Sequence, residues 1–506
     1  MRGGAFSPVP HRGAITFSIM LANIMQGLDT TIANVALPHI QGNLSATQDQ
    51  AAWVLTSYIV TAAIMMPLTG WLAGRVGIKY VFLWSVIGFT VASALCGSAT
   101  SLTQLVLYRA LQGIAGAGLI PLAQAVLLQI NPVERHGQAM AVFGIGAMLG
   151  PTTGPALGGW ITDNFSWRTI FYINVPIGII SALGILIFIR DRRTGHREHF
   201  DFFGFAVMAI AIGALQMMLD RGEYKDWFGS TEIWIEGGIA AVGFYLLVVH
   251  TLTAGERSFL SLELLRTPNF ITATILMFFI GLLLNGTLAL LPTMLQDLMG
   301  YPATTTGFVT MSRGVGTMIS MILVGRLINR VDPRLIIFGG LLIAALSMWQ
   351  MTGFALMMGS GPVIMSGLLQ GFGLGMTFVP LNTLALSTLP RSIMTQGTAL
   401  RSLMRNLGGS IGIAILEAQF VENTQIVHSR LVEGLRPDNL LARPPLLPAP
   451  YSLSSPAGVT ALNDEVTRQA SMVGYIDAFE LMLLVVVISL PLLLLLRRQP
   501  QLAAAE

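Results

Sequence analysis

Fourteen apolar runs, each close to the roughly 20 residues that cross the hydrocarbon core of a bilayer, divide this 506-residue chain. They lie near 14-37, 52-72, 81-101, 104-128, 138-162, 168-189, 203-220, 234-252, 270-294, 305-328, 335-355, 361-386, 396-420 and 474-496. In lipid every backbone N–H and C=O must be bonded within its own segment, so continuous apolar runs of this length fold as helices. Composition agrees: 10% of residues are charged, against about 25% in soluble domains. The expectation is an all-α integral membrane protein. The first run follows MRGGAFSPVPHRG without a small-residue cleavage site, which reads as a retained first helix. A single cysteine, Cys96, excludes an intrachain disulfide.

An even number of spans puts both termini on one side, and basic residues mark the cytoplasmic side. Seventeen of the 28 basic residues fall on the side of the termini, among them Arg12, Arg75, Lys79, Arg135, Arg330 and Arg334. The short loops opposite hold only Arg168, Arg221 and Lys225. Both termini are therefore expected in the cytoplasm. The net charge of +3 needs no nucleic-acid partner.

The chain also repeats itself. GWLAGRVGIK from Gly70 to Lys79 returns as GRLINRVDPR from Gly325 to Arg334, 255 residues on, and LQGIAGAG from Leu111 to Gly118 returns as LQGFGLGM from Leu369 to Met376, 258 residues on. Six helices occupy about 190 residues here, so the offset leaves room for two more between the halves. The expected plan is six plus two plus six: a bundle over 1–190, an inserted pair over 191–269 and a second bundle over 270–506. The halves share an orientation, which implies a pseudo-twofold along the membrane normal. One long outer loop, 421–473, contains a proline-rich stretch that argues against regular structure over much of it.

Within the fifth run, Gly146, Gly150, Gly154 and Gly158 recur every four residues and form a stripe without side chains on one helix face. Pro151 and Pro155 interrupt the same segment, and a membrane bundle tolerates them as a bend. Such a close-packing surface is expected at the interface between the halves.

Together these residues resemble a known family, the fourteen-helix drug/proton antiporters of the major facilitator superfamily, of the EmrB/QacA type. The likeness covers essentially the whole chain. LDTTIANVALP (Leu28 to Pro38) resembles the first-helix signature, RALQGIAGAG (Arg109 to Gly118) the fourth-helix motif with its embedded arginine, and GPTTGPALGG (Gly150 to Gly159) the antiporter motif of exporters. DFFG at Asp201 and LDRGEYKDWF (Leu219 to Phe228) resemble the edges of the inserted pair, and RNLGGSIG (Arg405 to Gly412) the thirteenth helix. The resemblance implies cytoplasmic gating loops built on Gly70, Arg75, Gly77, Lys79, Arg330 and Arg334. It also implies a periplasmic adaptor protein and an outer-membrane channel as partners of the long outer loop. The sequence departs at Gly74 and Asn329, where the loop motif carries an acidic residue.

Charges inside spans are costly unless paired or wetted, and so mark function. Asp29 and Arg109 lie at matching depths and are read as a pair, either proton-coupling or purely structural. Glu417 is a second candidate proton site or a snorkelling side chain. Asp220 and Asp297 end their helices and are read as solvated caps. Asn34, Gln112, Arg313 and Arg405 are further intramembrane polar residues; Asp297 and Glu417 are the candidate neighbours of Arg313, though sequence alone does not place them beside it, and Arg401 is a further charge. The methionines, including Met311, Met318, Met321, Met348, Met351 and Met376, suit either a pocket for many shapes or core filling.

No catalytic cluster is present. GGSIG (Gly408 to Gly412) matches a nucleophile elbow only in letters, since it opens an apolar helix. Neither lysine lies in a phosphate-binding loop, and His196 and His199 lack cysteine partners, so no cofactor or metal is indicated. What remains is secondary transport: export of lipophilic, cationic or neutral drug-like compounds across a bacterial inner membrane in exchange for protons. The alternatives are a facilitator or symporter for a small polar solute, and a non-transporting membrane scaffold or sensor.

Overall fold

The computed structural model describes residues 10–190, 200–255, 258, 261–328, 330–387, 389–390, 393–436, 439 and 449–497. Asn329, His196 and His199 lie outside them. The described residues form helices and no strands. In order these are α1 (Arg12–Asn43), α2 (Gln48–Val76), α3 (Ile78–Ser98), α4 (Leu102–Gly116), α5 (Leu119–Ile130), α6 (His136–Asn164), α7 (Thr169–Tyr172), α8 (Asn174–Phe188), α9 (Phe202–Arg221) and α10 (Thr231–Ala254). There follow α11 (Leu262–Arg266), α12 (Pro268–Thr293), α13 (Ala303–Leu327), α14 (Pro333–Met351), α15 (Ser360–Ser387), α16 (Met394–Glu433) and α17 (Pro456–Ser489).

Side chains set many of the helix starts. Thr47 and Gln50 close a capping box on α2, Ser101 accepts from the Gln104 amide at α4, and Asp201 accepts from the Gly204 amide at α9. Gly77 lies between α2 and α3 at φ 101°, where a side chain is strained. Pro151 and Pro155 sit within an unbroken α6.

Among the described residues twelve helical segments are long and apolar enough to cross a membrane. Helices α1 and α16 are as long but less apolar. Asn23, Gln26, Asp29, Thr30 and Thr31 dilute α1, and Arg401, Arg405 and Glu417 dilute α16. The outer loop is shorter than the sequence suggests. Helix α16 runs to Glu433 and α17 begins at Pro456, so 434–455 separates them, half of it (437–438 and 440–448) outside the described residues.

In the first half, α1 packs on α6 and α8, and α4 on α2 and α3; in the second, α12 packs on α16, α13 on α15, and α14 on α15 and α17. The halves meet through α6 on α13 and α15, and through α16 on α2 and α5. The inserted helix α9 lies against both α2 and α16. There Met208 and Ile212 share an apolar cluster with Ala63, Met66, Leu403 and Leu407. Asp201 also bonds His250 of α10 at 2.7 Å, and Arg221 clamps Glu232 and Glu236 of α10 at 2.6 and 2.7 Å. Those two motifs therefore tie the inserted pair together at its two ends.

The glycine stripe is not at the interface between the halves. A Cβ on Gly150 would lie 2.6 Å from the Gly27 carbonyl carbon, one on Gly154 would strike Thr31, and Gly146 and Gly158 face Met20 and Ile32. The stripe seats α6 on α1 inside the first half. A different face of α6 meets α13: Gly144 lies against Met321, and Thr152 against Gly314. Gly159 has open space around it.

Candidate functional site

Asp29 and Arg109 meet inside the first half. Arg109 Nη1 lies 2.6 Å from Asp29 Oδ2, with each side chain 1% exposed. Helix α1 supplies the acid and α4 the base, and close packing of α4 on α2 sets the approach, since a Cβ on Gly113 would strike Tyr58 and Thr61 of α2. Further groups complete the cage. Gln112 donates to Asp29 Oδ1 at 2.8 Å and accepts from Arg109 at 2.9 Å. Asn174 of α8 donates to the same Oδ1 at 3.0 Å and to Ser93 at 2.9 Å. Arg109 Nε donates to the Val54 carbonyl at 3.1 Å, and its guanidinium stacks on the Tyr58 ring 4.5 Å from the centroid.

Every group around Asp29 is a donor, an arrangement that fits an ionised carboxylate, which only accepts. Among the described residues Asn174 Oδ1, itself buried, has no partner. Sequence reading found Asp29, Arg109 and Gln112 but missed Asn174, Ser93 and Tyr58, because neutral polar residues in apolar runs look like packing.

The second half holds the repeat counterpart. Gln370 stands 258 residues after Gln112 and Thr287 258 after Asp29, and Gln370 Nε2 donates to Thr287 Oγ1 at 2.7 Å. Arg109 is matched by Gly367. Gly371 packs on Arg313 and Thr317 of α13 as Gly113 packs on α2. Two copies of one scaffold thus hold a charged and an uncharged site.

The model of the Major Facilitator Superfamily matches residues 19–413. The chain belongs to the Major Facilitator Superfamily. It is 37% identical over 473 residues to the multidrug export protein EmrB of Escherichia coli strain K12, covering 92% of this chain and 91% of that protein. It is 36% identical over 477 residues to the fatty acid resistance protein FarB of Neisseria gonorrhoeae, covering 93% and 94%. Among solved structures, the proton:xylose symporter XylE matches with a TM-score of 0.61 at 14% identity over 94% of each chain; that likeness is one of fold. This major facilitator is a transporter and not an enzyme.

Other residues singled out in the sequence fall elsewhere. Asn34 is exposed and outside the cage. Arg313 has neither Asp297 nor Glu417 as partner; it donates to the Leu284 carbonyl at 3.3 Å, while Asp297 is exposed. Arg405 of α16 is half-buried, and its backbone carbonyl lies against Gly281 of α12. Asp220 is not a solvated cap: it accepts from Gln216 at 3.0 Å, keeps Oδ2 buried and faces the neighbourhood of half-buried Glu417.

The loop residues divide. Gly70 abuts Gln396 of the opposite half, where a Cβ would fall 2.9 Å from a backbone carbon. Lys79 donates to the Leu186 carbonyl at 2.8 Å and caps α8, and Arg75 lies over the Trp71 ring at 5.3 Å. Arg330 is exposed, and the Arg334 amide donates to Asp332. Met321, Met348 and Met351 are core residues. A surface cleft of about 360 Å³ is lined by Leu157, Trp160, Phe165 and Tyr172 among others, and by no methionine.

Proposed function

We propose that this major facilitator exports lipophilic compounds by exchanging them for protons, with the buried Asp29 carboxylate as the proton carrier. The carrying observation is the cage itself: an acid 3% exposed, held by Arg109, Gln112 and Asn174 on three helices. A rocking movement that separates α1 from α4 or α8 removes donors from Asp29, and a carboxylate stripped of donors in a low-dielectric site takes up a proton. Rotation of the Asn174 amide would then offer its unpartnered Oδ1 to the protonated acid. Arg109 sets the release step, because its return favours the ionised form.

Several finer features belong to the same reading. Helices α1 and α16 cross the bilayer with the other twelve spans, giving six plus two plus six, with both termini in the cytoplasm of a bacterial inner membrane. The halves rock about a midplane cavity. Gly70, Gly77, Lys79 and Arg334 shape the cytoplasmic closure, and Glu417 is an auxiliary acid. The segment between α16 and α17 docks a periplasmic adaptor leading to an outer-membrane channel. The EmrB relatives are multidrug export proteins, which supports the substrate class.

Proteoliposomes with an imposed pH gradient test the reading. Dye movement against its own gradient, in the direction opposite to proton flow, is expected. Movement in the same direction as the protons would make the protein a symporter, and no movement under either polarity would leave it a scaffold or sensor.

A further inference from the structure

Asn174 reaches Asp29 through an amide that is itself held from behind. Its Nδ2 donates to two acceptors, Asp29 Oδ1 at 3.0 Å and Ser93 Oγ at 2.9 Å, and Ser93 Oγ in turn donates to the Phe171 carbonyl at 2.8 Å. The Asn174 and Ser93 side chains are fully buried. The chain supplies that carbonyl at a break: α7 ends at Tyr172 and α8 begins at Asn174, with Phe171 just ahead of the junction. One turn into α8, Gly178 lets this helix close on α3, because a Cβ there would strike Thr90.

The direction of these hydrogen bonds is set at their far end. A carbonyl only accepts, so the Ser93 hydroxyl gives its one proton to Phe171 and has only lone pairs to offer Asn174. Asn174 must then turn its N–H groups, not its C=O, toward Ser93, and the same nitrogen faces Asp29. Gln112, the other amide on Asp29, is backed by the same helix, since Cys96 of α3, one turn after Ser93, lies 3.6 Å from Gln112 Oε1. The titratable and charged groups that face Asp29 are Arg109 of α4, Tyr58 of α2 and Cys96 of α3. Helices α5 and α8 contain none, α6 carries His136 and Asp163 only at its ends, and Tyr172 of α7 lies against Gly97. A protonated Asp29 has an O–H to place, and Asn174 Oδ1 can receive it only if the amide turns over.

We propose that Ser93 is a positioning residue for proton exchange: anchored on the Phe171 carbonyl, it keeps the Asn174 amide donating to Asp29 and so favours the ionised, proton-releasing form of the acid. The proposal rests on the reading of Asp29 as the proton carrier. Ser93 acts on Asp29 through Asn174, with no hydrogen bond of its own to the acid among the described residues.

Difference infrared spectroscopy of the full chain in nanodiscs reads Asp29 directly, as the part of the protonated-carboxyl C=O band that disappears in Asp29→Asn. At one pH within that transition, Ser93→Ala is expected to raise the ratio of protonated to ionised Asp29 about threefold or more, the effect of one neutral hydrogen bond. Ser93→Thr, which keeps the hydroxyl, is expected to restore the unmodified ratio. Ser93→Cys, a weak donor and weak acceptor, is expected to fall between the two, and it decides the matter if Ser93→Ala does not fold. With Asn174→Leu in place there is no amide to orient, and adding Ser93→Ala is expected to change the ratio by less than about 1.5-fold. An unchanged ratio in Ser93→Ala and Ser93→Cys overturns the proposal. An equal rise with and without the Asn174 amide also overturns it, by making Ser93 a packing residue alone, as does an Asp29 that stays ionised in every variant at every pH where the chain is folded. Failure of the underlying reading looks different: if the ratio responds to Ser93 as expected while Asp29→Asn still exports dye on a pH gradient, the positioning stands and the exchanged proton travels elsewhere.

Discussion

The Asp29 site and its repeat counterpart at Thr287 share a scaffold and differ in charge. Each half presents a glutamine, Gln112 or Gln370, to a side chain one bundle position away at 2.8 or 2.7 Å. Each relies on a glycine, Gly113 or Gly371, to bring the glutamine's helix against its neighbour. Yet the first half adds an arginine and an acid where the second has Gly367 and Thr287. The duplicated backbone thus supplies the place for a buried pair, and side-chain chemistry decides which half holds an ion pair there. Arg401 of the second half extends the contrast, since among the described residues it is in no ion pair, whereas Arg109 meets Asp29.

The largest effect expected from breaking this contrast comes from Asp29→Asn. It preserves the cage's shape and removes the ionisable group, and gradient-driven dye export in proteoliposomes is expected to fall to background. Thr287→Val, the matching change in the second half, is expected to leave at least about half of the rate, since it deletes one neutral hydrogen bond worth about 1 kcal/mol. Equal losses in the two variants would abolish the distinction between the halves.

Next in size is Thr287→Asp, which writes the acid into the second half without an arginine to meet it. An unpaired carboxylate at that depth costs roughly 3 kcal/mol. Thermal unfolding in detergent is expected to show a lowered midpoint, partly restored when Gly367→Arg is added. No restoration would mean that the scaffold is not equivalent.

Arg109→Lys keeps the charge but loses the planar fork that serves Asp29, Gln112 and the Val54 carbonyl together. Slower export with a shallower dependence on the pH gradient is expected, and an unaltered profile would remove the fork from coupling. The smallest effect is expected at Gly154. Changing it to Ala meets Thr31, whose side chain can turn aside, and costs about 1–3 kcal/mol of overpacking between α1 and α6. The readout is thermal stability, with little change in the direction of transport.

Much of this contrast was legible before any coordinates. Asp29 and Arg109 stood out because ionised groups in apolar runs are few, and matching depth paired them. The repeat gave Gln370 through LQGFGLGM. What stayed hidden depends on rotation about helix axes. The stripe at Gly146, Gly150, Gly154 and Gly158 was recognisable as close packing, but α6 has two small-residue faces, and periodicity alone does not say which one meets α1 and which meets α13. Asn174 and Ser93 were invisible because a neutral polar residue in a helix is unremarkable until its neighbours are known. Arg313 could not be given a partner from sequence, because Asp297 and Glu417 could not be placed beside it, and a backbone carbonyl in α12 receives it. Helices α1 and α16 read as spans by their length, and their polar residues Asn23, Gln26, Asp29 and Arg401 are buried between helices.

The central claim is that Asp29, and not its repeat counterpart, carries the exchanged proton. It is tested most directly by counting protons released when the purified protein, in weakly buffered detergent solution, binds a saturating lipophilic cation such as tetraphenylphosphonium. Release is expected from the unmodified chain and from Thr287→Val, and none from Asp29→Asn although the cation still binds. Undiminished proton release from Asp29→Asn would contradict the account and move the search to Glu417.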